Sequence, residues 1–277
     1  MKFTFRIACS LGLLLGAFQV PAQDLLTTQA SLPCLDKEFT IVAHIVRDSF
    51  GNANIEEDRI LESIDTLNQY FSPICTSFEI CEFNYIDNFQ YDTLETDRDE
   101  WTEMITKFNR VRRINMYFVA AQEDNPLCGF ASLNGIAMDS RNVGVLIIKD
   151  CATSTGTTIP HEMGHFFNLL HTFEGAEGSE PPINPELVDG SNCDTAGDLV
   201  CDTPADPYVP GDPIADYIDL TNDCRFINRK RDGNGDFFVP DVANVMSYYP
   251  SRCICGFTYG QYLRMANAYL AASEKLW

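Results

Sequence analysis

Positive charge is in short supply in this chain: 19 Lys and Arg against 40 Asp and Glu, a net charge of −21 over 277 residues. A surface so poor in cations offers no footprint for a phosphate backbone or an anionic membrane, so nucleic acid is excluded as a partner, as is such a membrane surface. Long apolar runs are missing beyond the first twenty or so residues, which excludes a membrane-spanning helix in the body of the chain. No CxxC pair occurs among the cysteines, which argues against a thiolate zinc site. There is no internal repeat and no low-complexity tail, so repeat architectures are excluded. Histidine is also rare, at four, yet three of the four fall between positions 161 and 171.

What is present is a globular composition, 45% hydrophobic and 21% charged, enough for one large domain or two lobes. Lys2 and Arg6 precede an apolar run over residues 7–18, and Val20-Pro21-Ala22 supplies the small residues a signal peptidase prefers. Residues 1–22 therefore read as a secretory signal cleaved near Ala22, making the product secreted, either extracellular or periplasmic. Cys9 precedes the apolar run instead of following it, which speaks against a lipoprotein anchor. Removing Cys9 from eleven cysteines leaves ten, and an even number in an exported protein points to disulfides. Cys75 and Cys81 form a candidate local pair, while Cys193, Cys201, Cys224, Cys253 and Cys255 are placed to staple a long loop region.

Residues 23–37 show no periodicity and read as a leader or short pro-segment. Residues 39–48 are a β-branched run, a buried strand. In the next segment Ile60, Ile64, Leu67 and Phe71 share one helical face. Strands are expected at 78–86, 114–121 and 143–150, a helix at 101–111, and a short edge strand with turns within 128–138. From 176 to 240 the texture is that of loops, rich in Pro, Gly and Asp. The acid concentrated from Asp189 to Asp241 is either solvated or a source of oxygen ligands for calcium. "DGNGD" (232–236) opens like an EF-hand loop but lacks its glycine and closing glutamate, so it reads as an acidic turn. Regular structure returns at 257–277, where Leu263, Ala266 and Leu270 suggest the apolar face of a closing helix. The fold class is α+β: a mixed twisted sheet with helices in an N-terminal lobe (38–168), then an irregular, disulfide-stapled C-terminal lobe (169–277) ending in a helix.

The histidines sit in "TTIPHEMGHFFNLLHTFEG", residues 157–175. His161 and His165 are four apart, so on a helix they project from one face one turn apart and can grip one metal ion. Glu162 beside them is placed to take a proton from a water activated by that metal, the HExxH arrangement. A catalytic zinc needs a third protein ligand and an open fourth position. His171 is the candidate, but on a continuous helix it would point roughly 240° away from His165. The chain must turn between them. Asn168 is suited to that turn, because its short amide tolerates the left-handed region. His44, in an apolar strand, reads as a structural histidine.

The whole segment resembles the metzincin signature HExxHxxGxxH, with Asn168 where that family has glycine. "NVMSYYP" (244–250) is similar to the metzincin Met-turn, with Met246 as its methionine. Tyr248, two residues later, matches the tyrosine that several metzincin families place near zinc, where it can bind the metal or stabilise an oxyanion. Narrower features resemble the pappalysin (cytophagalysin) group: "HTFEG", "GDLVCDTP" (197–204), and Cys253, "FT", Gln261 and Arg264-Met265 near the end. The resemblance runs from about residue 39 to the C-terminus and is strongest from 157 onward.

That resemblance implies a secreted zinc endopeptidase acting on a protein or peptide substrate. His161, His165 and His171 would hold zinc, Glu162 would serve as general base and then acid, Tyr248 would stabilise the oxyanion, and Met246 would pack beneath the site. The group's GDxVxDTP segment contributes to calcium sites, which makes Asp198 and Thr203 the candidate calcium residues. The edge strand at 129–131 would pair with an extended substrate backbone. Members that cut next to arginine carry an acid just before the late cysteine; here Arg252 stands there, so an acidic side chain after the cut is expected over a basic one. Cys34 could ligate zinc in a precursor or be half of a disulfide, which the even count favours. The alternatives are a non-proteolytic zinc-binding adhesion module, or another zincin-type hydrolase. Oligomeric state is left open.

Overall fold

The computed structural model describes residues 31–95, 99–123, 127–176, 185–221 and 223–273. The signal-peptide expectation and the first part of the leader lie outside the described residues. In chain order the elements are β1 (Lys37–Val46), α1 (Glu57–Phe71), β2 (Thr76–Ile86), β3 (Thr93–Leu94), α2 (Asp99–Phe108), β4 (Ile114–Val119), β5 (Ala121–Gln122), β6 (Gly129–Ala131), β7 (Val145–Ile148), α3 (Thr158–Phe166), β8 (Ile218–Asp219), β9 (Arg225–Phe226) and α4 (Tyr259–Ala271).

Five strands form one sheet in the order β2-β1-β4-β7-β6. The pairs β1–β2, β1–β4 and β4–β7 are parallel, and β6 closes the edge antiparallel to β7. Parallel strands are normally covered on both faces and so read as continuous apolar runs. This sheet behaves that way: every residue from Ile41 to Val46 and from Ile114 to Val119 is buried. On one face Phe39, Ile41, Ala43 and Ile45 pack with Ile60, Leu67 and Phe71 of α1, Met163 and Phe166 of α3, and Met265 of α4. On the other, Val46, Tyr117, Val119 and Leu146 meet Met104 and Ile105 of α2. A third, smaller cluster, centred on Phe173, Tyr208, Tyr217 and Tyr249, organises the irregular lobe. No helix of the described residues is long and apolar enough to cross a membrane.

Two buried polar side chains in and beside the sheet are paired. His44 is held between Asn115 Oδ1 and the Asn84 amide, both at 2.9 Å, and stacks on Tyr117; burial lowers its pKa to about 4. It is the structural histidine its strand context suggested. Lys149 Nζ donates to Asp92 Oδ1 and to the Val46 carbonyl, each at 2.6 Å, with both side chains of the pair nearly sealed from solvent.

Several expectations need correction. Cys75 pairs with Cys34, and Cys81 is a free, exposed thiol. Cys81 is the extra residue at a register shift in β2 and its Sγ donates to the Ile41 carbonyl at 3.4 Å, whereas Cys75 sits in a left-handed turn before the strand, facing the chain that enters β1. Cys34 is thus engaged in a disulfide and is not a free ligand. The late cysteines do staple the loops, as Cys193–Cys201 and Cys224–Cys253, and Cys128–Cys151 ties β6 to the segment after β7. The closing helix buries Tyr262, Met265, Ala266 and Tyr269, while Leu270 is 53% exposed. Ala266 lies on the inward stripe as expected, but at Leu263 and Leu270 the residue one position earlier, a tyrosine, turns inward instead, and Tyr262 donates to the Tyr70 carbonyl of α1.

The Lys149–Asp92 pair yields a stability prediction. Lys149→Met leaves a buried carboxylate without its cation, so the folded state should lose about 3–5 kcal/mol. Combining it with Asp92→Leu should recover part of that loss. Urea denaturation midpoints of the three proteins measure it.

Candidate metal centre and active-site cleft

Helix α3 begins at Thr158 and carries Pro160 in its first turn, where a missing N–H is harmless. Its nine residues are almost wholly buried between sheet and irregular lobe, which strips water from the imidazoles it carries. The helix ends at Phe166, and Asn168 adopts φ 75°, in the left-handed region. Asn168 N–H returns to the His165 carbonyl at 2.8 Å, and Leu169 N–H to the Gly164 carbonyl at 2.9 Å. The chain reverses there, as its asparagine suggested, and His171 comes back over α3.

The result is three imidazoles with ligand nitrogens all within 4.8 Å of one another. His165 Nε2 and His171 Nε2 stand 3.0 Å apart. Nitrogens ligating a tetrahedral zinc at about 2.0–2.1 Å are roughly 3.3 Å apart, so the spacing suits that ion. His161 Nδ1 donates to the Val245 carbonyl at 2.7 Å and His165 Nδ1 to the Leu169 carbonyl at 2.8 Å. Those two bonds point the Nε2 lone pairs inward. Burial, with repulsion from His165, lowers the His161 pKa to about 3; burial likewise depresses His165 and His171. Neutral imidazole is the form that binds metal. Among the described residues no fourth histidine, cysteine or carboxylate joins this group.

Glu162 is buried, and its Oε2 has no hydrogen-bond partner. Burial raises its pKa to about 8. Gly129 of edge strand β6 makes room for it: a Cβ there would meet the Leu146 carbonyl at 2.5 Å and Glu162 Cγ at 3.1 Å. The Tyr248 ring lies 4.8 Å from that of His171 and 5.7 Å from that of His161. Burial and the Glu162 carboxylate raise its pKa to about 12, so it keeps its hydroxyl proton. Met246 is fully buried under α3, and a Cβ on Gly164 would collide with its sulfur. Glu162 and His161 open onto a cleft of about 300 Å³ bordered by Gly129, Thr157, Tyr208, Ile214 and Tyr249.

Arg252 is not part of that lining; it is exposed and donates to the Leu220 carbonyl at 2.9 Å. Asp198 is buried next to Glu186, a residue the sequence did not single out. Glu186 Oε2 and Asp198 Oδ2 are both buried and unpartnered. Burial raises both carboxyls to about 7, and for Glu186 the Asp198 charge adds to it. Gly197, at φ 63°, admits the Glu186 carboxylate where any Cβ would clash with it. Thr203, buried as well, holds the Asp198 carboxyl down against the effect of burial and lies 3.5 Å from the Thr258 hydroxyl at the start of α4. Asp206, also missed, is fully used: it accepts from Thr172 Oγ1 at 2.8 Å, Tyr249 at 3.0 Å and Tyr208 N–H at 3.1 Å. Nothing in local periodicity separates Glu186 or Asp206 from the solvated acids around them.

The peptidase family described as pregnancy-associated plasma protein-A matches residues 126–270, more than half of the chain. Reprolysin-like metallopeptidases match residues 58–172. An extracellular metalloprotease of Arthroderma benhamiae is 26% identical over 261 residues, covering 90% of this chain and 84% of that protein. One from Aspergillus fumigatus is 32% identical over 116 residues, 42% of this chain and 28% of that protein. A crystal structure of metalloproteinase-II from Bacteroides fragilis overlaps 52% of this chain and 45% of that one at 12% identity, with a TM-score of 0.36.

The turn at Asn168 gives a prediction. Asn168→Gly should match the original protein in thermal stability, since glycine enters the left-handed region freely. Asn168→Ala should lose about 1–2 kcal/mol, the usual penalty for a Cβ there. Calorimetric unfolding of both variants checks it.

Proposed function

The chain belongs to the pregnancy-associated plasma protein-A family of peptidases and has a metzincin-like zincin fold; from that premise we propose that it is a secreted zinc endopeptidase in which His161, His165 and His171 hold the metal and Glu162 is the general base. As a metalloprotease it acts on a protein or peptide substrate. The observation that carries the site assignment is the convergence of three neutral imidazoles beside a buried, half-unpartnered carboxylate, at the wall of an open cleft. When bound, zinc supplies the Lewis acidity that makes water nucleophilic near neutral pH and polarises a carbonyl.

The protein's own groups account for the remaining steps. Glu162 takes the proton of the attacking water on its carboxylate and passes it to the nitrogen of the departing amine. The Tyr248 hydroxyl, held protonated, donates a hydrogen bond to the developing oxyanion. Edge strand β6 offers backbone groups to an extended peptide, the β-addition mode. Met246 packs beneath α3 and carries no chemistry. Residues 38–277 act as one catalytic unit in this proposal, with residues 1–22 as the export signal; secretion is supported by the extracellular metalloproteases to which the chain is similar. A structural zinc in an adhesion module would close the fourth position with a protein ligand. That no fourth histidine, cysteine or carboxylate joins the triad among the described residues supports the catalytic alternative.

Glu162→Gln is the direct test. It should bind one zinc, as the original protein does, while peptide cleavage falls at least about 10²–10⁴-fold. Turnover retained in this variant would rule out the general-base assignment; a wild type whose casein digestion survives a zinc chelator would rule out the zinc reading.

We further assign Asp198, Glu186 and Thr203 to a calcium site. Two unpartnered carboxylate oxygens buried together support a hard cation with oxygen ligands. Without the cation, the folded state holds protons on these carboxyls up to about pH 7 that the unfolded chain releases near its ordinary values. Groups whose pKa is raised on folding stabilise below the unfolded value, and that stabilisation is lost as pH rises through the folded one. In a calcium chelator the melting temperature should therefore fall between about pH 4.5 and about pH 7. Calcium should flatten this decline, and Asp198→Asn should abolish the calcium effect. Identical melting curves with and without calcium at pH 7 would reject the site.

A further inference from the structure

Arg264 is used by neither the proposed chemistry nor the main core, yet it reaches two distant loops at once. Its Nε donates to the Asn168 carbonyl at 2.7 Å, and its Nη1 donates to the Asp198 carbonyl at 2.8 Å, with the Leu199 carbonyl at 3.5 Å. Both loops are strained in the same way. Asn168 stands at φ 75° and Leu199 at φ 61°. These are left-handed conformations that a side chain disfavours. For Leu199 there is not even the local hydrogen bonding that helps asparagine. Such turns persist where neighbouring structure over-determines them, and here one guanidinium touches both.

Its position matters for the histidines. The carbonyl held by Arg264 belongs to the residue at which the chain reverses, and the next carbonyl, Leu169, orients His165 through Nδ1. Two residues beyond Leu169 comes His171. A shift of the Asn168 carbonyl therefore moves the group that aims one imidazole and the backbone that carries another. The far end of the brace is firm, because Asp198 is buried and Asp202, four residues on, accepts from Thr258 Oγ1 and Gly260 N–H at the start of α4. A lysine could not do the same, since its ammonium is one point, whereas guanidinium presents a planar fork to both carbonyls.

We infer that Arg264 is a positioning residue of the metal site, a brace from helix α4 that locks the left-handed turns at Asn168 and Leu199 together and so fixes the spacing of His165 and His171. The inference rests on the proposed zinc-holding role of the three histidines. Arg264 borders an open cleft of about 610 Å³ with Asn168 and Leu199, so replacing it does not hollow out the core.

The test uses the full zinc-loaded chain as wild type, Arg264→Met and Arg264→Lys. Arg264→Met should bind zinc about 10- to 100-fold more weakly in competition with a chromogenic chelator, the scale of losing an outer-shell partner. Its cobalt-substituted form should show shifted visible bands, and kcat should fall with KM little changed. Arg264→Lys, keeping one donor, should recover part of the zinc affinity. Zinc affinity and a cobalt spectrum equal to wild type in Arg264→Met would overturn the inference, as would an unrescued loss in Arg264→Lys identical to that in Arg264→Met. Should Arg264→Met fail to fold, wild-type affinity and spectrum in Arg264→Lys would overturn it equally. A wild-type chain that takes up no zinc would instead sink the metal assignment itself, and this inference with it.

Discussion

The reversal of the backbone at Asn168 is the constraint on which the site depends. A helix brings two imidazoles onto one face but carries a residue six positions later to another side. Leaving the helix through a left-handed residue returns the chain over the same face within three residues. The reversal also frees the Leu169 carbonyl, which then fixes the ring of His165. Everything else in the centre is arranged around that crossing: Met246 beneath Gly164, the Val245 carbonyl on His161, and the ring of Phe173 stacked on His171.

Burial divides the acidic residues into two kinds. Most acids among the described residues are at least partly exposed and mark no site. Two of the buried ones are satisfied: Asp92 by Lys149 and the Ala120 N–H, Asp206 by two hydroxyls and a backbone N–H. Three keep an unpartnered oxygen: Glu162, Glu186 and Asp198. A buried polar atom without a partner is rare in folded proteins. One lies beside the histidines and the other two lie together, and in each the raised pKa has desolvation as its main cause.

The irregular lobe is shaped less by secondary structure than by cross-links and aromatic packing. Cys193–Cys201 and Cys224–Cys253 close loops whose strand pairing, among the described residues, is limited to the two-residue β8–β9 hairpin and isolated bridges. Tyr208, Tyr217 and Tyr249 supply the apolar mass that helices would supply elsewhere, with Asp206 anchoring two of them. This lobe forms one wall of the cleft and edge strand β6 the other. A peptide laid against β6 would thus run between backbone hydrogen-bonding groups and a neutral wall of tyrosine, threonine and isoleucine.

Local pattern by itself determined the sheet strands, helix α1, the histidine helix and the turn at Asn168, because each depends on periodicity or on φ preferences that neighbouring residues express alone. The same holds for the zinc-competent triad, whose spacing and turn residue are contiguous in the chain. Tertiary structure alone decided which cysteine meets Cys75, which stripe of α4 faces inward, and that Arg252 stands outside the cleft lining. It alone brought Glu186 to Asp198 and Arg264 to Asn168, since those groups come from separate segments and only the folded chain sets their distances. Whether a carboxylate is solvated or sealed in without a partner depends on what packs over it, and that is not written in its neighbours along the chain.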